Sequence, residues 1–394
     1  MLTRFLYFSI FFLLAGLTGC KPTGTTYDTS GMISLKITPE VPEIYVGDLI
    51  AGYELVPLET TEDNFISRID KMIVTEDHIV IADLHQFEMI WVFDRNGKSI
   101  STIHRQGRGP QEYMDLRNVV VTPDNQLIAA LDNGGQKMLF YRFDGSFAGS
   151  QPLSFWFSGF EYLDEDNIAV ANYGVGKRDP GLTDSEYAGY LLFFTDPEFT
   201  IRSGAIPNIY SRDYNANTPH LKRCGEDVFV NPSYSDTIYR VTPGKLHAQF
   251  HLDMRGIDGV TNFPANVTNK KREELLNSKA SFYGENFHWA DSCLLFNITT
   301  TNQGVDFFLF DSRRDSLLKL ANQNKDDTKN YSVSDLNIYS LFRDAISAHN
   351  DQFISVFPSF IVAMLPEKAK NQTPEFEGIT EDSNPILVFY TLKK

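Results

Sequence analysis

The sequence predicts an all-β fold in which one four-stranded antiparallel unit is repeated around a ring. Three observations carry this expectation. Two neighbouring segments share one internal plan, each with apolar runs closed by Asp, and such duplication is the mark of a repeat architecture. Short apolar runs separated by turn residues then recur along the chain. The 394 residues include 31 Phe and 18 Tyr, a composition suited to short, half-buried strands.

The first unit runs Ile66–Val74, Ile79–Ala82, Met89–Asp94 and Ser99–His104, with Arg95-Asn96-Gly97 as the turn before its last strand. Asn-Gly between apolar runs is a strong hairpin signal. Four short antiparallel strands are the content of one propeller blade. Unit two offers Val119–Thr122, Leu127–Leu131, Met138–Phe143 and Phe147–Leu153. Unit three has Phe157–Tyr162, Ile168–Ala171, Tyr190–Thr195 and Thr200–Ile206. The weaker unit four has His220–Cys224, Val228–Val230, Thr237–Val241 and Ala248–Leu252, and unit five has Asn286–Ala290, Leu294–Phe296, Val305–Phe310 and Ser316–Ala321.

Unit six supplies Phe342–Ser347, Phe353–Val356 and Ile386–Leu392, after which the chain stops one strand short. The unused strand Tyr53–Leu58 fits that place and would remove the two exposed edges of an open array. The expected architecture is therefore a six-bladed β-propeller of four-stranded antiparallel blades, closed by an N-terminal strand that completes the last blade.

Ahead of residue 49 the chain reads differently. Arg4, the short apolar stretch Phe5–Ala15 and Leu17-Thr18-Gly19-Cys20 form a secretory targeting segment, too short to be a good membrane span. Residues 1–19 are expected to be a signal peptide, residues 20–48 a tether and lead-in, and residues 49–394 the propeller. Cys224 and Cys293 are expected to be two buried thiols rather than a disulfide. Net charge is −16 and no Lys/Arg block stands out, which excludes nucleic acid as a partner.

Phe93-Asp-x-x-Gly97 and Gly107-Arg-Gly-Pro-Gln-Glu-Tyr113 resemble the NHL-type six-bladed propeller. With Leu-x-Gly-Cys20 and Pro385-Ile-Leu-Val-Phe-Tyr390, the chain resembles the six-bladed propeller lipoproteins of Bacteroidetes. The Leu-x-Gly-Cys ending also looks like a bacterial lipobox, which implies that Cys20 is acylated and holds the body at a membrane of the cell envelope; a non-lipidated signal peptide is the alternative. Some related propellers are calcium-dependent lactonases or lyases, so the resemblance also admits a Ca2+ ion.

In such a ring, the loops joining strands two and three share one face with the loops that pass from blade to blade. Asp83, Asp132, Asn172, Asn231 and Asn297 close second strands and are candidates to ring the channel mouth as ligand contacts. Taken singly, each reads first as a turn cap, because Asp and Asn bond nearby backbone N–H groups, and it is as a ring that they are site candidates. His85 lies just past Asp83. In the loop Arg105–Tyr113, Gly107, Gly109 and Pro110 point to a fixed shape. Arg105 and Arg108 would there present guanidinium forks to an anion or sugar beside Glu112 and Tyr113, unless Arg108 and Glu112 pair with each other.

Three insertions, Gly174–Gly189, Met254–Glu285 and Ser359–Pro385, crown the same face, and Asn269–Ala280 within the second reads as a short helix. No nucleophile elbow, zinc motif or phosphate loop is present. The expectation is a non-catalytic scaffold that binds a glycan, a peptide or an envelope protein, with a Ca2+-dependent hydrolase or lyase acting in the channel as the alternative.

Overall fold

Alternation along one strand shows how the ring is assembled. In the second strand of blade one, Val80 and Ala82 pack with Val119 and Ile128 of blade two, whereas Ile79 and Ile81 pack with Val56, Leu387 and Phe389 of blade six. Successive side chains leave opposite faces of a strand, so a strand apolar at every position must be covered on both sides. Five of the six residues of His78–Asp83 are buried. Each blade is sandwiched between two others, and every inter-blade interface has its own apolar cluster.

The computed structural model describes residues 26–172, 179–207, 220–232, 235–255, 281–300, 304–321, 342, 345–365 and 367–394. Cys20, the signal segment and the reading of Asn269–Ala280 as a helix lie outside the described residues.

Blade one comprises β5 (Lys71–Val74), β6 (His78–Asp83), β7 (Met89–Asp94) and β8 (Ser99–Ile103), and blade two comprises β9 (Leu116–Val121), β10 (Ile128–Asp132), β11 (Lys137–Tyr141) and β12 (Phe147–Pro152). Blade three is β13 (Gly159–Tyr162), β14 (Ile168–Ala171), β15 (Tyr190–Thr195) and β16 (Ile201–Pro207). Blade four is β17 (His220–Cys224), β18 (Asp227–Asn231), β19 (Thr237–Thr242) and β20 (Lys245–Asp253), and blade five is β21 (Ser281–Ala290), β22 (Cys293–Thr300), β23 (Gly304–Asp311) and β24 (Ser316–Ala321). Blade six joins β25 (Ser347–His349), β26 (Gln352–Phe357) and β27 (Ile386–Leu392) to β4 (Ile50–Pro57), which pairs antiparallel with β27 from Ile386↔Pro57 to Leu392↔Ile50. First strands touch in the order β5, β9, β13, β17, β21, β25 and back to β5. The fold is the six-bladed propeller, and its ring is closed by the N-terminal strand.

Three local expectations change. The first strand of blade six is Ser347–His349, not Phe342–Ser347: Phe342 is buried against Phe353 and Tyr390, but the hydrogen-bonded ladder is set by the turn at Asn350. The first strand of blade one begins at Lys71, because the Ile66 amide bonds the Asn384 side chain instead of a ladder partner.

The third change concerns the segment read as tether and lead-in. It adds β1 (Thr26–Asp28) and β2 (Ile33–Lys36) in parallel to β20, and β3 (Glu43–Tyr45) in parallel to β24. Leu35 and Ile37 anchor it by entering the core between blades four and five. It covers backbone edges that would otherwise be open. Cys224 and Cys293 are both free and buried, and burial pushes the Cys224 thiol up to about 11. No helix among the described residues is long and apolar enough to cross a membrane.

Candidate binding face and axial channel

Second strands end, and first strands begin, at the same end of the ring, so the loops that meet there form one face. Asp83 closes β6 without being exposed to solvent. Its Oδ1 accepts from the amides of His85 (3.0 Å) and Gln86 (2.7 Å), and its Oδ2 from the amide of Phe87 (3.2 Å) and the Ser67 hydroxyl (3.1 Å). Burial opposes its charge, but these donors outweigh burial and hold the carboxyl below its ordinary value. Asp132 does similar work in blade two: its Oδ1 accepts from the amides of Met114, Asp115 and Gly135, each at 3.0 Å. At these two positions the geometry is that of turn caps.

The amides of the series behave differently. Asn231 donates to the carbonyls of Ser235 (3.3 Å) and Thr237 (3.1 Å), leaving its Oδ1 without a partner. Among the described residues, Asn172 is buried with neither amide atom bonded, and the Asn297 Oδ1 is also without a partner. Asn297 lies inside β22 rather than at its end, because the hairpin of blade five is paired out to Thr300↔Gly304. Calcium does not fit this series: Asp83 has both oxygens committed to donors, and the free Oδ2 of Asp132 faces the Lys137 ammonium at 4.0 Å. Among the described residues, no group of three or more His, Cys, Asp and Glu is placed to hold an ion. His85 is exposed on the face, with Nδ1 3.0 Å from Asp70 Oδ2.

The loop Arg105–Tyr113 is cross-tied: Gly107 N–H donates to the Tyr113 carbonyl and Tyr113 N–H to the Arg105 carbonyl, both at 2.9 Å. Tyr113 is buried, and its hydroxyl donates to the Glu88 carbonyl at 2.5 Å, so it fixes the loop and does not face solvent. Arg105 is spent on Gln111 Oε1 and the Gly145 carbonyl, both at 3.2 Å, and stacks on Tyr141. Glu112 Oε2 accepts from Gly109 N–H at 2.8 Å and sits where a Cβ on Gly107 would fall, 2.0 Å away. Glu112 is therefore committed to the loop's own backbone.

Arg108 is left exposed, with no hydrogen bond or ion pair among the described residues. Together with Met114, Gly135 and Lys137 it lines a concavity of about 450 Å³. Lys137 donates to the Gly109 carbonyl at 3.0 Å, which holds its ammonium beside the loop. Of the residues expected in the loop, Arg105, Glu112 and Tyr113 are bonded within the loop and its immediate surroundings, and Arg108 alone is left exposed without a hydrogen bond or ion pair among the described residues.

The same face gathers apolar surface. Phe65, Met114 and Trp156 come from blade-to-blade loops; Phe87, Val305, Phe360 and Met364 come from, or adjoin, connections between second and third strands. These are seven of the eleven exposed large apolar side chains among the described residues, and Met364 is 79% exposed. The loop-rich face is therefore the most apolar part of the exposed surface among the described residues.

Sequence reasoning missed the polar lining of the axis. Lys71 on β5 reaches Glu161 Oε1 on β13 (2.8 Å) and Asn118 Oδ1 on β9 (2.9 Å), joining blades one, two and three. Arg223 on β17 lies 3.5 Å from Glu161 Oε2 and donates to the Tyr162 carbonyl. Lys222, also on β17, donates to the Phe287 carbonyl on β21 at 2.9 Å. The available signal was a charge inside an otherwise apolar first strand, as in Lys71-Met-Ile-Val and Gly-Phe-Glu161-Tyr.

A protein of Bacteroides fragilis described as exported shares the fold, with TM-score 0.70 and 18% identity over 92% of this chain and 100% of that one. A member of the DUF4221 family from Bacteroides vulgatus is more distant, with TM-score 0.51 and 10% identity over 88% of this chain and 97% of that one. No curated protein matches. The model of a domain of unknown function, DUF4934, matches residues 33–391, and the chain belongs to that family.

Proposed function

We propose that this protein is an exported, lipid-anchored binding scaffold of the cell envelope, and that its loop-rich face docks a partner protein by an apolar, acid-bearing segment. The observation that carries the reading is the gathering of Phe65, Phe87, Met114, Trp156, Phe360 and Met364 on the face that also presents Arg108 and Lys137. Aromatic residues, Met and Arg are the types enriched at protein interfaces. In a chain of net charge −16, an unpaired guanidinium beside an ammonium is a local positive field that selects a carboxylate. Export and anchoring are supported by the Leu-x-Gly-Cys20 motif and by the exported relative from Bacteroides fragilis. No observation favours hydrolase or lyase chemistry over binding.

The test measures affinity for the envelope partner with full-length variants. Phe87→Asp or Met364→Asp is expected to weaken capture at least about tenfold, the effect of losing an interface anchor of about 1.4 kcal/mol or more. Thermal stability should be unchanged, because both side chains are exposed. Arg108→Glu with Lys137→Glu should weaken capture further and flatten its salt dependence. Tyr53→Asp and Ile100→Asp, on outer strands, should have no effect. Equal losses from the outer-strand variants would refute the face, and Cys20→Ala remaining in the membrane fraction would refute the anchor.

A further inference from the structure

The folded body takes up the chain almost as soon as the signal segment ends. Thr26, six residues on from Cys20, is already paired with Lys245 in the ladder that β1 makes along β20. Side chains hold the lead-in at successive points. Tyr27 lies edge-on to Tyr239 at 5.8 Å, the Asp28 carboxylate meets the His247 ring at 3.3 Å, and the Ser34 hydroxyl meets the His251 ring at 3.1 Å. Farther along, Ile37 N–H donates to the Asp253 carbonyl at 2.9 Å, and Leu35 and Ile37 are buried between blades four and five. Peeling the lead-in away would strip both from the core.

This docking limits where a lipid on Cys20 can be. A chain spans at most about 3.6 Å per residue, so Cys20 lies within about 22 Å of Thr26. A folded chain of this length is about 50 Å across. The tether is thus shorter than half the body's width, and it cannot carry the lipid round to blade one, which stands opposite blade four in the ring. The exit also has a direction. β20 leaves the Pro243-Gly244 turn at Lys245 and ends at Asp253, where the connection to blade five begins on the loop-rich face. Because β1 runs parallel to β20 and starts opposite Lys245, the tether leaves from the end of β20 remote from that face. The nine residues of β20 set its two ends roughly 27 Å apart. Tyr27 and Met32, 42% and 38% exposed, are two of the four exposed large apolar side chains outside the loop-rich face among the described residues. Tyr is favoured at membrane–water interfaces.

We infer, given the anchor at Cys20 proposed above, that the flank of blade four built by β1, β2 and β20 lies against the lipid headgroups and that the loop-rich face is held clear of the membrane. The occupant of this flank is a lipid surface, and the loops that would meet a partner stay open to the aqueous side.

The experiment uses the full-length lipidated protein in phosphatidylcholine–phosphatidylethanolamine vesicles that carry an energy acceptor on the headgroups. Donor fluorophores are attached singly at Met32→Cys, Lys245→Cys, Ile100→Cys and Met114→Cys, all exposed positions, whereas the native Cys224 and Cys293 thiols are buried. Labels at Lys245 and Met32 are expected to lie less than about half as far from the headgroups as the label at Ile100, on the outer strand of blade one. The label at Met114, on the loop-rich face, should also stand farther out than those two. Inserting about thirty Gly and Ser residues before Thr26 adds a root-mean-square span of about 30 Å and should bring the four distances together. Equal distances with the native tether, or Ile100 or Met114 nearest, would overturn the inference while leaving the anchor standing. A pattern unchanged by the insertion would overturn it too, since the short tether would not be what sets the orientation. Cys20→Ala protein that still floats with the vesicles would refute the anchor, and the orientation with it.

Discussion

Replacing Asp83 by alanine should lower the unfolding free energy by about 4 kcal/mol, since each unsatisfied buried donor costs about 1–3 kcal/mol. The amides of His85, Gln86 and Phe87 and the Ser67 hydroxyl lose their acceptor together, in a carboxylate site closed to solvent. Asp83→Asn keeps one acceptor but turns an NH2 group toward donors, so about half the loss is expected. The pH dependence has a definite sign. The folded carboxyl titrates below its ordinary value of about 3.9, so its stabilising effect is complete above that value. The effect disappears as pH falls through the folded pKa. Urea titrations at pH 7 and in acid check both parts: the gap between wild type and Asp83→Ala should be widest at pH 7 and narrow in acid. A gap that does not change with pH would assign the loss to packing rather than to the carboxylate.

Asn384→Ala should cost about 3 kcal/mol by the same reasoning, because one buried side chain serves four bonds where the ring closes. Its Nδ2 donates to the carbonyls of Glu59 (2.9 Å) and Asn64 (3.1 Å) and to Asn64 Oδ1 (3.2 Å), while its Oδ1 accepts from the Ile66 amide at 2.7 Å. These bonds fasten the approach to β27 onto the segment that leaves β4 for blade one. The amide is therefore the clasp between the N-terminal strand and the rest of the chain. Denaturant unfolding should show the loss, and proteolysis should find residues 58–70 more open than in the wild type. A loss under 1 kcal/mol would mean that strand pairing alone holds the closure.

Much of the ring was legible because its strands are apolar on both faces and end in short turn residues. The pairing of Tyr53–Leu58 with Ile386–Leu392 followed from a simple inconsistency, a last unit with one strand too few. What escaped depends on long-range register. Leu35 and Ile37 look like isolated apolar residues in a lead-in until blades four and five provide a groove for them. Phe342 reads as strand because it is buried, yet burial does not reveal which backbone carries the ladder.

The candidate site was legible as a place more than as a set of residues. The loop Arg105–Tyr113 does form a wall of the face, but three of its four marked side chains hold the loop in shape. Asp83 and Asp132 occupy the expected strand ends and are turned inward as caps. The exposed Met364 and Phe87 drew no attention in sequence, since an apolar residue in a loop has no periodic partner to reveal its direction. The axial charges were hidden for a related reason: Lys71, Glu161 and Arg223 lie far apart in the chain and meet only when the ring closes.

The central claim is that the loop-rich face is where a partner sits. Photo-crosslinking residues placed singly at Phe87, Met114, Met364, Tyr53 and Ile100 of the full-length protein, in its native envelope, test it most directly. Crosslinks to one and the same partner from the first three positions, abolished by Arg108→Glu with Lys137→Glu, are the predicted result. Crosslinks confined to Tyr53 and Ile100, or distributed evenly over all five positions, would contradict it.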